Sequence, residues 1–418
     1  LALKVMDEFN PMIVGCSSSF QQTAASVSLL NHVKTISPTT MTILGGANCE
    51  GEMAEGILSF NAKIDFVFSG ESELSFIDFL KSLRRQIIPN TKILKSNTIC
   101  DLNSLPLPDF QDYYKTISQT SLYKKLVKKQ RVWIPFETSR GCWKGESQQC
   151  TFCGLNGQRI CYRHKRPEIV LKQLKQLSNN NLSRRILMTD CIMPRQYFSS
   201  VMKELSVLSF PEQIFYEQRS NLSFHEVKTL KDARITLIQP GIESLSDGIL
   251  NLMKKGVNVT QNLSLLRFAR WFDISINWNL LVAIPNDKIS FYKELLDLLP
   301  KIPHLHPPSG IAPIVIHRFS PYYNLPDKFM IKNIRPKKFY KQIFPKHTDF
   351  DKVAYQLTGD FRTDYYDCKE GKDISKKLYK IINHWRKLWQ STKDPLPHLL
   401  LTKINNSTFL LSDSRENA

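Results

Sequence analysis

The sequence predicts an α/β protein made of two successive strand and helix series, the first a doubly wound parallel sheet and the second a full or partial β/α barrel. Three observations carry that expectation. Short apolar runs end in loops of Ser, Gly or Glu; segments with helical spacing alternate with them; and the series restarts after a proline-spaced stretch, NSLPLPDFQDYY (103–114).

Taken in order, PMIVGCSSSF (11–20) is a short strand running into a small-residue loop. QQTAASVSLLNHVKTI spaces Val27, Leu30, Val33 and Ile36 three apart, within one broad helical face. MTILGGANCEGEM (41–53) is a second strand ending on a glycine pair, with a helix over GEMAEGILSFN, and DFVFSGESE (65–73) is a third, followed by a helix through LSFIDFLKSLRR. In a parallel sheet the loops SSSF, GGAN and SGES lie together at the carboxyl ends of the strands, where ligands bind. Glycine there lets a backbone approach a flat cofactor or a phosphate closely, and plain loop packing is the alternative. No GxGxxG or GxxxxGK[ST] run occurs, so a dinucleotide or P-loop reading has little behind it.

The second series opens with VWIPFETS (132–139), a strand leading straight into a cysteine-rich loop. Helix 168–177, strand 185–190, helix 196–205, strands 214–220 and 235–243, helix 262–272 and strand 276–285 continue it, and a barrel of this kind carries its active site at the carboxyl ends of the strands. Beyond Pro326 the periodicity fades into basic, aromatic sequence with helices near 375–390. A small, mainly helical C-terminal region is expected, with the last twenty residues poorly ordered.

Composition bounds the rest. A chain of 418 residues with 42% hydrophobic content has room for two or three domains. No run approaches eighteen apolar residues and no charged-then-apolar leader opens the chain, so no membrane span is expected and the cytoplasm is the expected compartment. The nine cysteines are scattered through a large chain, which predicts reduced thiols. The chain starts on Leu1, with no fold element expected before the first apolar stretch, as in a first domain truncated at its N-terminus. The net charge of +19 gathers at YKKLVKKQR (123–131), 332–346 and SKKLYKIINHWRK (375–387). Nucleic acid, a solvated face and an acidic peptide are the readings of those runs.

The loop RGCWKGESQQCTFCGLNG (140–157) supplies Cys142, Cys150 and Cys153. A structural zinc site closes with four ligands and ferredoxin loops bring four cysteines. Three thiolates suit a [4Fe–4S] cluster with one iron left open. Gly141, Gly145, Gly154 and Gly157 let the loop fold around such a cluster, and Phe152 sits where an aromatic shields it and flanks a planar ring. A zinc knuckle completed by Cys161 or His164 is the alternative; otherwise Cys161 and Cys191 read as semi-buried thiols.

The seven-then-two cysteine spacing, with FETSRGCW before and CTFCGLNG after, resembles the RiPP-maturation branch of cobalamin-dependent radical SAM enzymes, regarded as peptide C-methyltransferases. SSSFQQTAAS, LGGANCEGEM, SGESELSF, FYEQRSNLS, IQPGIESLSDGILNLMKKGV and HRFSPYY look like family segments in the family order, over roughly residues 10–325. The resemblance implies a cobalamin-binding Rossmann-like domain (1–98), a linker (99–130), a radical SAM domain forming a partial (β/α) barrel (131–325) and a basic C-terminal region (326–418). It implies that Cys142, Cys150 and Cys153 hold the cluster and that S-adenosylmethionine (SAM) binds its open iron beside Phe152 and Gly154. Glu243 and Ser244 of GIES are the implied SAM contacts, with Glu217 and Arg219 as further candidates. Cobalamin would lie on Ser17, Ser18, Ser19 and Phe20, on Gly45, Gly46, Ala47 and Asn48, and on Ser69, Gly70 and Glu71, without a lower histidine, since no Asp-x-His-x-x-Gly run is present.

The implied activity is methylation of a peptide carbon, with one SAM to recharge methylcobalamin and another to generate the radical. Its partners are a RiPP precursor peptide and an external electron donor, and nucleic acid is not expected. A non-methylating radical enzyme and a non-catalytic peptide-binding homologue are the competing readings. Two departures from the family pattern motivate the latter: VAIPND (282–287) where a Gly-Phe-Pro-Gly-Glu-like turn is usual, and TDCIM (189–193) where an Asp-Asn-Ile-like run is common.

Overall fold

The computed structural model describes the chain except residues 61–62, 122–124, 126–131, 159–160, 181–182, 392–394 and 416–418. Apart from Lys125, the central residues of the basic run 123–131 lie outside the described residues. The chain divides into two compact units, one of Leu1–Cys100, Phe152–Ile160 and Val315–Asp360, the other of Asp101–Thr151, Cys161–Ile314 and Phe361–Ala418.

In the first unit β1 (Ile13–Ser17), β2 (Met41–Gly45), β3 (Phe66–Ser69) and β4 (Ile93–Lys95) form a parallel sheet in the order β1-β2-β3-β4. β3 is buried at every position because both faces are covered, as a parallel sheet requires. Alternate residues split between two cores. Leu44 and Val67 pack with Val27, Leu30 and Ile57 from helices Thr23–Ile36 and Met53–Leu58. Ile43, Phe66 and Phe68 pack with Phe79 of helix Glu73–Arg84.

Two elements of this unit were not expected. Helix Ala2–Phe9 precedes β1, seating Ala2 and Met6 against Val33, and β4 is too short to leave a periodic signal. Residues 315–360 add a three-stranded antiparallel sheet of Ile316–His317, Gln356–Asp360 and Lys332–Pro336. Val353 joins the Leu44 core, and Gly56 permits this because a Cβ there would collide with the Val353 backbone. The region 326–418 carries more helix than strand, as expected, but is not one piece. Its first part is packed with the first unit and its remainder with the second.

In the second unit β5 (Ile134–Phe136), β8 (Arg185–Met188), β9 (Gln213–Gln218), β10 (Ile235–Pro240) and β11 (Ser275–Ile276) build a parallel sheet in the order β11-β10-β9-β8-β5. Two small ladders accompany it, β6 (Ser139–Arg140) with β7 (Arg163–His164), antiparallel, and β12 (Asn279–Val282) with β13 (Gly310–Pro313), parallel. The single strand expected over 276–285 is thus broken in two. Trp278 is buried at the break and donates its indole N–H to His306 O at 3.1 Å.

Helix Phe224–Asp232, closed by a Ser223/Glu226 capping box, and helix Asp247–Leu252 fill connections that the sequence reading left unassigned. The expected linker is tied down: Gln111–Ser118 is helical, and Asn103 Oδ1 accepts from Arg166 N at 2.7 Å. Helix Lys369–Gln390 buries Ile374, Leu378, Ile382 and Trp385 along one stripe. The tail expected to be poorly ordered holds a hairpin of Leu399–Lys403 and Phe409–Asp413. No helix among the described residues is long and apolar enough to cross a membrane.

Candidate functional site

Strand ends in the second unit are organised around Asp190, which sequence reasoning passed over. Its carboxylate is buried just beyond β8 and accepts from Thr138 N (2.7 Å), Thr138 Oγ1 (2.5 Å), Ser139 Oγ (2.8 Å) and the Tyr216 hydroxyl (2.8 Å). Burial pushes its pKa up and those bonds pull it back. The effect is to pin the residues that lead into Cys142. An Asp as the last residue of the strand expected over 185–190 was the signal available in the sequence.

Cys142 starts a short helix, Trp143–Gln148, and its sulfur accepts from Gly145 N at 3.3 Å. Burial raises the thiol pKa, while the Gly145 and Lys144 amides oppose it and the nearby Cys150 adds to it. The Lys144 ammonium, held by Gln148 O and by Lys254 O at 3.3 Å, has its pKa lowered by burial. Thr151 N donates to Met253 O at 3.1 Å, which fixes the end of the loop. The Gly145 and Lys144 amides and the Lys144 ammonium offset part of that rise at Cys142, whose thiolate is the form that would bind iron.

Cys153 belongs to the first unit, with half-buried Phe152 before it. All nine cysteines are thiols, and among the described residues no group of three or more His, Cys, Asp or Glu is gathered as a metal site. His164 Nδ1 faces Lys165 O at 3.1 Å and Gln196 Nε2 at 3.0 Å. Cys161 is exposed rather than semi-buried, and Cys191 is half-buried as expected.

Glu217 of β9 is pushed up to about 7 by burial first, then by Glu243 and Asp190. Glu243 stands in a left-handed turn (φ 57°), accepts from Leu281 N at 2.8 Å through its carbonyl, and reaches Lys255 Nζ at 3.4 Å with its carboxylate. Ser244 is fully buried; its Oγ accepts from Ser246 N at 3.2 Å and its carbonyl accepts from Asn262 Nδ2 at 2.9 Å. It shapes the turn, leaving Glu243 as the side chain able to meet a ligand. Arg219 donates to Gly256 O at 2.9 Å, and its guanidinium and that of Arg195 lie over the Trp143 ring at 5.3 and 4.5 Å. A cavity of about 250 Å³ opens among Trp143, Met193, Arg195, Gln218 and Arg219.

The departure at VAIPND is milder than it reads. Ala283 and Asn286 adopt left-handed conformations (φ 57° and 66°) at the two positions where the resembled turn has glycine. Asp287 supplies a carboxylate after all, accepting from Ile284 N at 3.0 Å, the Tyr292 hydroxyl at 2.5 Å, Thr363 Oγ1 at 2.8 Å and Asp364 N at 2.7 Å.

In the first unit the strand-end loops are knit by Ser18, Thr23, Asn48 and Ser69, with the Glu71 carboxylate beside them. Asn48 Nδ2 donates to Ser18 Oγ (3.1 Å), Phe20 O (3.0 Å) and Thr23 Oγ1 (2.9 Å), and Ser18 Oγ and Thr23 Oγ1 are 2.8 Å apart. Ser69 Oγ accepts from Gly51 N at 2.9 Å and Glu71 Oε2 from Ile99 N at 2.9 Å. Ser18, Asn48, Ser69 and Glu71 therefore build the loops, whereas Ser17, Phe20 and Ala47 are exposed on them, with Ser19, Gly45 and Gly70 partly so.

Gly46 and Gly70 have φ of 99° and 95°, and a Cβ on Gly46 would stand 2.5 Å from Ser18 O. At Gly46 the glycine is required by its neighbouring loop, in addition to any close approach of a ligand. The result is a small-residue cradle with one exposed aromatic ring, which fits a broad, largely uncharged cofactor.

Residues 136–299 match the family profile described as the radical SAM superfamily. The chain carries a radical SAM domain. That domain begins in β5 and includes the cysteine loop and the strand ends described above. No curated protein matches the sequence. Among solved structures, the cobalamin-dependent SAM radical enzyme OxsB with aqua-cobalamin bound is 16% identical, with a TM-score of 0.65 over 94% of this chain and 62% of that one. The radical SAM methyltransferase TsrM from Kitasatospora setae, with cobalamin and a [4Fe-4S] cluster bound, is 12% identical, with a TM-score of 0.63 over 90% of this chain and 81% of that one. These likenesses establish a shared fold extending well beyond residues 136–299, and the chain spans 62% of the length of OxsB.

Proposed function

We propose that the protein is a cobalamin-dependent radical SAM C-methyltransferase that modifies a ribosomally synthesised peptide in the cytoplasm, drawing electrons from an external donor. The observation that carries the reading is the pairing, in one chain, of a radical SAM domain with a four-stranded parallel sheet whose strand-end loops form a glycine-containing cradle. The fold likeness to OxsB and TsrM over both parts supports it. In this reading the cradle domain comes first, and the five-stranded sheet of the second unit, continued by β12 and β13, is a partial barrel.

Cys142, Cys150 and Cys153 would hold the cluster, Glu243 would meet SAM beside Phe152 and Gly154, and the SSSF, GGAN and SGES loops would hold cobalamin. When bound, these groups supply hydrogen abstraction from an unactivated carbon and a transferable methyl group. The chain's own residues prepare the site. Asp190 fixes the approach to Cys142, and the Gly145 amide donates to its sulfur. Lys255 orients Glu243, and Glu217 holds a proton up to about pH 7 beside it. Lys337, Lys338, Lys341 and Lys346 form a basic surface segment suited to an acidic leader of the peptide.

The test is anaerobic turnover with SAM carrying a deuterated methyl group and the peptide encoded beside the gene. Methylation is expected to bring deuterium into the peptide together with 5′-deoxyadenosine. 5′-Deoxyadenosine without peptide methylation would replace this reading with the non-methylating one. Peptide binding with neither product would favour the non-catalytic one.

A further inference from the structure

Within the first unit three segments far apart in sequence converge on Arg318. The end of the GGANCEGEM loop contributes Glu50–Glu52, the turn after Cys153 contributes Gly154–Gln158, and RFSPYY contributes residues 318–323. Their packing leaves no room for additional atoms. A Cβ on Gly51 would meet Gln158 Nε2 at 3.0 Å and Phe319 Cε1 at 3.4 Å, one on Gly157 would meet Glu50 Cγ at 3.0 Å, and one on Gly154 would collide with Arg318 O.

Arg318 is fully buried, and each part of its guanidinium is used. Nη1 donates to Glu52 Oε1 and to the Tyr323 hydroxyl at 2.7 Å, Nη2 donates to Asp351 O, and Nε donates to Ala354 O at 2.7 Å. The Tyr323 hydroxyl donates in turn to Glu52 Oε1 at 2.6 Å. The side chain of this residue thus holds Glu52 of the GGAN loop, while its backbone carbonyl packs against Gly154 so closely that a Cβ there would collide with it. A buried cation is an expensive way to fill space, since an apolar side chain of similar size packs without desolvating a charge. Its retention is explained by what it holds in register.

We propose that Arg318 is a positioning residue that locks the Gly45–Glu52 loop to the Cys153–Gly154 turn. Corrin binding and cluster assembly then each report on the other. This rests on the cofactor assignments under Proposed function. Because such coupling is reciprocal, the cluster should tighten corrin binding by the same factor as corrin stabilises the cluster, about tenfold for a rigid link of this kind.

The test uses full-length protein reconstituted anaerobically, with and without hydroxocobalamin, as wild type, Arg318→Met, Arg318→Lys and Glu52→Gln. The readouts are the EPR spectrum of the reduced cluster and the corrin affinity of cluster-free and cluster-loaded protein. In wild type, hydroxocobalamin should shift the EPR spectrum and the cluster should tighten corrin binding about tenfold. Both effects should vanish in Arg318→Met and Glu52→Gln while iron is retained, and Arg318→Lys, which keeps a cation opposite Glu52, should recover part of them.

A purely structural Arg318 would change the melting temperature without altering that spectral response. Should Arg318→Met fail to fold, Glu52→Gln decides, because it leaves the Arg318 bonds to Asp351 and Ala354 in place. Wild type that binds neither iron nor corrin would overturn the cofactor assignments themselves. Wild type that binds both without coupling, or coupling that survives in Arg318→Met or Glu52→Gln, would overturn the Arg318 proposal alone.

Discussion

The strand ends of the two units solve the problem of holding a ligand differently. In the first unit the loops are tied by Ser18, Asn48 and Ser69, whose bonds run to hydroxyls and backbone, and the glycines between them leave a cradle with little charge. In the second unit the ends carry Asp190, Glu217 and Glu243 with Lys144, Lys255 and Arg219, and several of these groups have pKa values displaced by burial. A large, largely uncharged ring needs shape and backbone access. A sulfonium ligand with amino and carboxylate groups, beside an iron cluster, needs fixed charges in a water-poor site. Under the proposed function, the low charge of the first set of loops suits a corrin and the fixed charges around Glu243 suit SAM.

Three substitutions test that contrast. Asp190→Ala should have the largest effect, costing about 3–5 kcal/mol because Thr138, Ser139 and Tyr216 lose a shared buried acceptor. Denaturant unfolding measures it, and a loss below about 1 kcal/mol would show that Asp190 does not organise the loop.

Glu217 gives a pH signature. Its folded pKa of about 7 lies above the ordinary 4.5, so folding takes up a proton between those values. The stability it contributes is present below about pH 4.5 and is lost as pH rises through about 7. Glu217→Gln should remove that slope and leave the protein more stable than wild type above pH 7, by about 3 kcal/mol. Unchanged slopes in melting temperature across pH 5–8 would mean that Glu217 is ionised throughout. Asn48→Ala should cost least, about 1–2 kcal/mol for three neutral hydrogen bonds, together with weakened corrin binding. A cost matching that of Asp190→Ala would erase the distinction between the units.

Much of this architecture could be read from the sequence because it is periodic. The first three strands and their loops, helix Pro167–Asn180 and strands β8 to β10 all lie where apolar spacing put them. What escaped was short or set by distant contacts. β4 has three residues, and helix Phe224–Asp232 is announced only by its capping box. The strand expected over 276–285 breaks where Trp278 finds a partner in His306.

The candidate site divides in the same way. The resemblance nominated Ser18, Asn48 and Ser244 as ligand contacts, and their bonds in this structure run to the protein's own loops. Asp190 lies in TDCIM and Arg318 in HRFSPYY, yet neither was nominated, because their importance comes from partners dozens to hundreds of positions away. At VAIPND the letters differ from the resembled turn, and Ala283 and Asn286 stand in left-handed conformations that the letters do not announce.

The account rests most heavily on Cys142, Cys150 and Cys153 as the ligands of one cluster. Iron and sulfide analysis with Mössbauer spectroscopy of anaerobically reconstituted protein tests this directly. About four irons per chain with the spectrum of a [4Fe–4S] centre are expected in wild type, and none in Cys150→Ala, with Cys161→Ala indistinguishable from wild type. A full cluster surviving in Cys150→Ala, or wild type that takes up zinc and no iron, would contradict it.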